Sequence, residues 1–547
     1  MPEKRIQFSG GAVLVVLVCL VTYAPAFRGG FVWDDDSMLT KNIVLKEHGL
    51  YQSWFTAKQG NYWPITWTSY WLEHKLWGLN PAGYHITNIL IHTACALLIW
   101  RILVQLNIPT AFAAAFIFAV HPVNVESVAW LAQRKTVLAM LFFLLSLFYY
   151  LRFDQTGRRI FYALSVTLFI LAMLSKGSVV GLPVVILLCI WWLRGTIKRQ
   201  DILRSIPFFV VSAAMSAVEL WFQHNRAIGP ILVRSDSFLS RLAGAGWAVW
   251  FYLYKAVLPI HLTFIYPRWK IDPADWVSYV PGLLLVVLLA LAWRYRRSWG
   301  KPVLFTLVYY VAMLLPVLGF FNIYFMRYSF VADHYQYVSM AGFIAFVSAV
   351  FYCVSNRFGY FGNKITGTIA VLLAVILLVF NWQRCITYRD SEILWRDTLG
   401  KNPDCSMAYH NLGLVLQSQG RLDETLDCYK KSLQLEPDSP ETHNDLGCFL
   451  GQQGKYDEAI EHLRLAVKLE PYHAEIHNNL GLALFMRGRV DEAISHFRRA
   501  VEIEPDYADA RQNLAAALGA KLKSTLNEAP ESPGQMQQID PNHTKTR

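Results

Sequence analysis

Three consecutive carboxylates, Asp34, Asp35 and Asp36, stand directly behind an apolar segment near the amino terminus. Alternate side chains of an extended segment point to opposite faces, so Asp34 and Asp36 would face one way and Asp35 the other. A carboxylate beside apolar walls has a raised pKa and becomes a competent general base. The other interpretation is a solvated acidic loop or a cap for the following helix.

Polar groups that would complement such a base occur as islands inside apolar sequence. Arg134, Lys176 and His334 supply cations for a phosphate group, because charge-assisted bonds to a leaving oxyanion are strong in a dry site. A second set has the character of a sugar-lining surface: Asp36, Tyr62, Trp63, His85, His92, His121 and Glu126. Histidines inside a membrane segment also serve as packing contacts, and the sequence leaves that interpretation open.

The amino-acid composition indicates that lipid surrounds part of this chain. Of its 547 residues, 54% are hydrophobic and 16% are charged, which is too much apolar surface for one soluble core. The net charge of +11 sits largely in short loops between apolar runs, as expected of cytoplasmic anchors and not of a nucleic-acid-binding protein. The eight cysteines lack disulfide or metal-ligand spacing, so we expect neither a disulfide framework nor a metal site.

Twelve apolar runs between residues 11 and 381 are candidate membrane spans, the first of them retained and not cleaved as a signal peptide. With the basic amino terminus in the cytoplasm, the loop 29–83 lies outside. The basic cluster 294–301 then falls on the wrong side unless one run does not cross. The interrupted run 242–258 is the first candidate and the short run 110–120 the second. The sequence therefore predicts about eleven spans.

A strict repeat of thirty-four residues follows the membrane part, and it is marked by Pro403, Pro437, Pro471 and Pro505. Leu-Gly and Asp-Glu pairs keep the same period, which is that of tetratricopeptide repeats. We expect a domain over 396–520 with three repeats and a capping helix. The polar segment 521–547 is predicted to be a disordered tail.

Several motifs occur in a specific order along the membrane part: Phe31-Val32-Trp33-Asp34-Asp35 with Leu39 and Asn42, Trp77-Gly78-Leu79, Gly83-Tyr84-His85 to His92, His121-Pro122-Val123 with Glu126 and Arg134, and Leu174-Ser175-Lys176. With these motifs and the repeats, the sequence resembles the transmembrane and tetratricopeptide-repeat-containing (TMTC) family. That family belongs to the C-type glycosyltransferases, which use lipid-linked sugars.

The resemblance implies an all-α fold, with a polytopic transmembrane helix bundle over 1–395 followed by a soluble tetratricopeptide α-solenoid. It also implies transfer of a sugar, mannose in animal members, from a polyprenyl phosphate to a protein hydroxyl on the extracytoplasmic face. Asp34 or Asp35 would be the base. The lipid-linked donor is the one expected cosubstrate, and metal dependence is left open.

The expected partners are membrane lipid, the polyprenyl phosphate and an acceptor protein held in the repeat groove, with no nucleic acid. The expected location is the bacterial inner membrane, or the endoplasmic reticulum in a eukaryote, with the repeats outside the cytoplasm.

Two other functions compete with a transferase. Trp63, Thr136 and His334 depart from residues common in the family, which favours a noncatalytic membrane-anchored scaffold that uses the repeats for assembly. A transporter is disfavoured because the membrane half lacks a two-fold internal repeat.

Overall fold

The computed structural model describes residues 2–40, 45, 49–56, 60–229, 233–357 and 359–525. Asn42 and most of the predicted tail lie outside the described residues. The chain forms two compact units that divide after Leu394. The described residues contain helices and no strand, so the all-α prediction is confirmed.

The first unit is built from α-helices joined by loops and short 3₁₀ turns. Its α-helices are α1 (Pro2–Thr22), α2 (Gly49–Phe55), α3 (Pro64–Trp77), α4 (Pro81–Gln105), α5 (Ala111–Val120), α6 (Val125–Ala129), α7 (Arg134–Thr156), α8 (Arg159–Ser175), α9 (Leu182–Arg194), α10 (Arg199–Phe222), α11 (Phe238–Val257), α12 (Val280–Arg294), α13 (Gly300–Leu314), α14 (Met340–Arg357), α15 (Gly359–Thr387) and α16 (Ser391–Lys401), which runs past the division.

Eight helical segments in the described part are long and apolar enough to cross a membrane. Helices α5 and α6 would add a ninth as a broken span, since the segments Ala111–Val120 and Pro122–Ala129 meet at a bend of 51°. Two shorter apolar helices, Gly10–Thr22 and Arg159–Ser175, accompany them. Helix α11, over the run expected not to cross, is not among the eight. The membrane-protein class is confirmed, and the number of eleven spans stays a prediction.

Helices α7 and α8 form an antiparallel hairpin that brings two basic residues to one end. The turn between them contains Gly157, whose φ of 69° lies in the left-handed region that favours glycine. Inside the pair, Ser146 and Ser165 each donate their hydroxyl to the other's carbonyl oxygen, at 2.7 and 2.8 Å. Such contacts between small residues stabilise helix pairs in a membrane, where the hydrophobic effect does not drive helices together because the lipid tails are apolar too. Lys135, at the start of α7, and Lys176, after α8, therefore share one end of the hairpin.

The second unit contains the repeat helices α17 (Ser406–Ser418), α18 (Leu422–Leu435), α19 (Pro440–Gln452), α20 (Tyr456–Leu469), α21 (Ala474–Met486), α22 (Val490–Ile503) and α23 (Ala508–Thr525). The two helices of a repeat approach closely at the glycine of each Leu-Gly pair. A Cβ atom at Gly447 would lie 2.6 Å from Leu463 Cγ, so only glycine fits there. The last helix continues through Thr525 and thus includes the first five residues of the predicted tail.

Two histidine pairs occur at equivalent positions of successive repeats. His443 and His462 place their Nδ1 atoms 3.0 Å apart, and His477 and His496 do the same. Burial, with smaller contributions from His477 and Arg464, lowers the pKa of His496 to about 4. Since this value lies below the ordinary 6.5, the fold favours the neutral ring. The resulting stability is present above about pH 6.5 and is lost as the pH falls towards 4.

We therefore expect the midpoint of thermal unfolding of the repeat unit to fall more steeply on acidification in the wild type than in His496→Gln. Circular dichroism from about pH 7.5 to about pH 4.5 measures this difference, because the variant shares every other titrating group. Parallel curves for the two proteins would show that the pair does not titrate on unfolding.

Candidate active site

The acidic motif forms a helical turn and not an extended segment, so the alternation expected for its side chains is wrong. The amides of Asp35 and Asp36 donate to the carbonyl oxygens of Val32 and Trp33, each at 3.1 Å. Trp33 has a φ of 46°, in the left-handed region, and its ring stacks on that of Trp130 at 5.5 Å between centroids. The turn is thus held against the segment that precedes α7.

Asp35 is fully buried and anchors this turn. Its carboxylate accepts hydrogen bonds from the amides of Val32, at 2.9 Å, and Ala132, at 2.6 Å. Burial raises the pKa of Asp35 well above its usual range, against the effect of these two donors. Both carboxylate oxygens are engaged, so Asp35 is built to position the turn, and the geometry favours Asp34 of the two predicted bases.

Asp34 is half-buried and lies close enough to Lys135 for electrostatic attraction. The ammonium of Lys135 stands 4.5 Å from the centroid of the Trp63 ring, which gives that aromatic residue a place at the site. Asp36 turns to its own helix, where its carboxylate accepts from the Thr40 hydroxyl at 3.1 Å. The site therefore has one carboxylate beside a cation.

Lys176 supplies a second cation at this place. Its Nζ donates to the Thr136 hydroxyl at 2.9 Å, one residue beyond Lys135. Burial, followed by repulsion from Lys135, lowers the pKa of Lys176 to about 7. A negative ligand would restore the charged form, so the two lysines are suited to an anion. Among the described residues, no group of three or more His, Cys, Asp or Glu side chains is arranged to hold a metal ion.

His334 and Glu126 meet as a buried pair although 208 residues separate them. The Nδ1 atom of His334 lies 2.6 Å from Glu126 Oε1. Burial, together with Lys176 and Lys135, holds the pKa of His334 well below its usual range, which favours the neutral ring, and one hydrogen bond joins this ring to Glu126. His334 therefore stands near the lysines, as a neutral hydrogen-bonding group and not as the predicted phosphate-binding cation.

Arg134 does not match its predicted phosphate-binding role, because protein groups already occupy its guanidinium. It is fully buried, donates to Glu73 Oε2 at 2.6 Å and to the Tyr84 carbonyl at 2.9 Å, and also bonds Asn88. Its side chain is 0% exposed and that of Glu73 is 6% exposed. Buried charges are paired in this way for structural reasons. Arg134 thus fastens α7 to α3 and α4.

The three predicted sugar-lining histidines also make structural contacts. His92 bonds the Tyr337 hydroxyl at 2.7 Å and the Ala119 carbonyl at 3.0 Å. His121 accepts from the Val123 amide at 3.3 Å and reaches the Ala256 carbonyl at 3.1 Å. His85 is buried against Gly29, where an added Cβ would lie 3.0 Å from its Nε2.

Tyr62, by contrast, is half-buried beside Trp63, and its ring stacks on Phe222 at 5.4 Å.

Sequence reasoning missed two residues that the structure brings to the site. The first is Lys135, to which the sequence analysis assigns no role. Glu219, near the end of α10, interacts electrostatically with both Lys135 and Lys176. A lone acid inside an apolar run was the available signal, because intramembrane carboxylates are costly and mark functional positions.

Comparison with known proteins supports both halves of the chain. Two family models described as tetratricopeptide repeat match residues 404–471 and 444–508. The protein O-mannosyl-transferase F38B6.6 of Caenorhabditis elegans is 24% identical over 80% of this chain and 64% of its own length. Human protein O-mannosyl-transferase TMTC1 is 25% identical over 78% and 55%, respectively. The resemblance to the TMTC family is confirmed.

The TMTC relatives are longer than this chain, which spans 64% and 55% of the two named above.

Among solved structures, the first tetratricopeptide domain of Spaghetti (RPAP3), bound to an HSP90 peptide, is 25% identical, with a TM-score of 0.21. That match covers 21% of this chain and 93% of the RPAP3 domain. The crystal structure of MamA is 24% identical over 24% of this chain and 76% of its own chain, with a TM-score of 0.23.

Proposed function

We propose that this protein transfers mannose from a polyprenyl phosphate to a hydroxyl group of an acceptor protein. One observation carries the proposal: the carboxylate of Asp34 lies close enough to Lys135 for electrostatic attraction, and Lys176 is hydrogen-bonded to Thr136, the residue after Lys135. A sugar phosphate donor needs cations for its phosphate, and an acceptor hydroxyl needs a base. The O-mannosyl-transferase names of the TMTC relatives support mannose as the sugar.

The reaction follows from the roles of these groups. Asp34 takes the proton of the acceptor hydroxyl while the hydroxyl oxygen forms a bond to C1 of the sugar. The bond between C1 and the phosphate oxygen breaks, and its electron pair leaves with the phosphate. Lys135 and Lys176 stabilise the charge that develops on that oxygen. Attack from the face opposite the leaving group inverts the configuration at C1.

The donor is lipid-linked in this proposal because apolar helices surround the acidic turn. Lys135 lies in the first turns of one candidate span, Leu131–Thr156, and Lys176 directly precedes another, Gly177–Arg194. A lipid phosphate reaches such a place from within the bilayer, whereas an acceptor protein arrives from water. The tetratricopeptide repeats, which form grooves in solenoids, would bind that acceptor.

A noncatalytic scaffold is the second candidate, supported by the departures at Trp63, Thr136 and His334. The structure gives two of these residues contacts with the lysines of the site, since Thr136 accepts from Lys176 and the ring of Trp63 lies against the Lys135 ammonium. The deciding measurement uses the purified full chain with radiolabelled polyprenyl phosphate mannose and extracted envelope proteins. We expect labelled protein in amounts that grow with enzyme. A scaffold would leave all label in the lipid at every enzyme concentration.

Orientation is a separate expectation of this proposal, because the acidic turn and the repeats should both lie outside the cytoplasm. An alkaline phosphatase reporter fused after Pro403 should be active in bacterial cells, since that enzyme needs an oxidising compartment. The matched fusion after Arg194, in a short basic loop, should be inactive. Activity of the second fusion alone would reverse the topology.

A further inference from the structure

Glu219 is held at the candidate site by contacts on both sides. Its side chain lies against the residue that follows Lys176: a Cβ atom at Gly177 would be 3.4 Å from Glu219 Cγ and 3.8 Å from Cδ. One turn further along, Gln223 Nε2 donates to Asn61 Oδ1 at 2.5 Å. With the stacking of Phe222 on Tyr62, these contacts fix the end of α10 beside Trp63.

Carboxylates surround the lysine pair before any ligand binds. Glu219 and Asp34 both attract Lys135, while Glu219 and Glu126 attract Lys176. Glu126 is hydrogen-bonded to His334, and Glu219 is the carboxylate that interacts with both lysines. An anion that binds here is therefore attracted by the two lysines and repelled by Glu219 at the same time.

We propose that Glu219 is a positioning residue that favours the donor over the product at the phosphate site. This inference rests on the proposed transferase function. The donor is a phosphate diester with one negative charge, whereas the product is a monoester with about 1.5 to 2 negative charges near pH 7. A carboxylate beside the lysines repels the product more than the donor, because the repulsion scales with the charge of the ligand. Glu219 thereby promotes release of the spent lipid phosphate.

The test compares binding of two lipids to the full chain in nanodiscs: polyprenyl phosphate and its methyl ester, which keeps a single charge. In Glu219→Gln, we expect binding of polyprenyl phosphate to tighten about tenfold more than binding of the methyl ester. Turnover should fall, with stronger inhibition by added polyprenyl phosphate. Glu219→Asp, which keeps the charge, should stay close to the wild type.

Asp272→Asn removes an exposed carboxylate from a loop and serves as the control, while Lys176→Gln should weaken binding of both lipids. Equal changes for the two lipids in Glu219→Gln would overturn the inference. If that variant does not fold, the wild type decides alone. A preference of about tenfold or more for the phosphate over its methyl ester would overturn the inference, because the site would then favour the charge of the product over that of the donor. Failure of the wild type to transfer mannose would instead overturn the proposed function.

Discussion

Asp34→Asn is expected to lower turnover about 100- to 10,000-fold, the usual contribution of a general base. The amide keeps the shape of the side chain but does not accept the hydroxyl proton at neutral pH. Donor affinity should be maintained or slightly improved, because the variant removes a negative charge near Lys135 and leaves both lysines in place. We therefore expect Asp34→Asn to lower kcat without weakening donor binding. The rate of sugar transfer in single turnovers with bound donor measures this.

Two neighbouring variants control for effects on the loop. Asp36→Asn should transfer mannose at close to the wild-type rate, since the carboxylate of Asp36 accepts from the Thr40 hydroxyl of its own helix. Asp35→Asn should lower thermal stability as well as activity, because an amide offers one acceptor oxygen where two backbone donors now bind. Turnover of Asp34→Asn within about threefold of wild type would remove Asp34 from the mechanism.

Arg134→Gln is expected to destabilise the membrane half by about 3–5 kcal/mol, since it leaves Glu73 as a buried charge without its cation. The variant should therefore fail to give a monodisperse protein, and the loss of activity would follow the loss of fold. Replacing both members of the pair, as Arg134→Met with Glu73→Leu, should recover folded protein, because two apolar groups need no partner.

Thermal unfolding in detergent, followed by the fraction of soluble monomer, measures this effect. Lys75→Gln, which changes an exposed cation in the same helix as Glu73, should behave like the wild type. If Arg134→Gln keeps wild-type stability and weakens donor binding, Arg134 belongs in the phosphate site after all.

Local sequence patterns predict the classes of element well in this chain. The thirty-four-residue period depends on glycines and apolar residues whose spacing is visible in the sequence, and Gly447 shows why the spacing is strict. Apolar runs likewise predict membrane helices because the bilayer fixes their length. The number of spans is harder to predict, since a helix such as α11 has 20 residues, enough to cross a membrane, but is not apolar enough to count as a span.

Roles within the site depend on pairings that no local pattern contains. Asp35 meets Ala132 across 97 residues, and Arg134 meets Glu73 across 61. From composition alone, Arg134 and Lys176 are both cations in polar islands. The structure separates them because the guanidinium of Arg134 is paired with a buried carboxylate, whereas the amine of Lys176 donates to a neutral hydroxyl, that of Thr136.

The bond between Asp35 and the Ala132 amide also limits how this chain can exchange parts with its relatives. It joins the turn that carries Asp34 to the start of α7, which carries Lys135 three residues after Ala132. A chimaera that imports residues 29–40 alone would bring in a turn fitted to a different partner backbone. Exchanging residues 29–40 together with 130–136 keeps Asp35 matched to the backbone at Ala132. The two segments should therefore be exchanged as one unit.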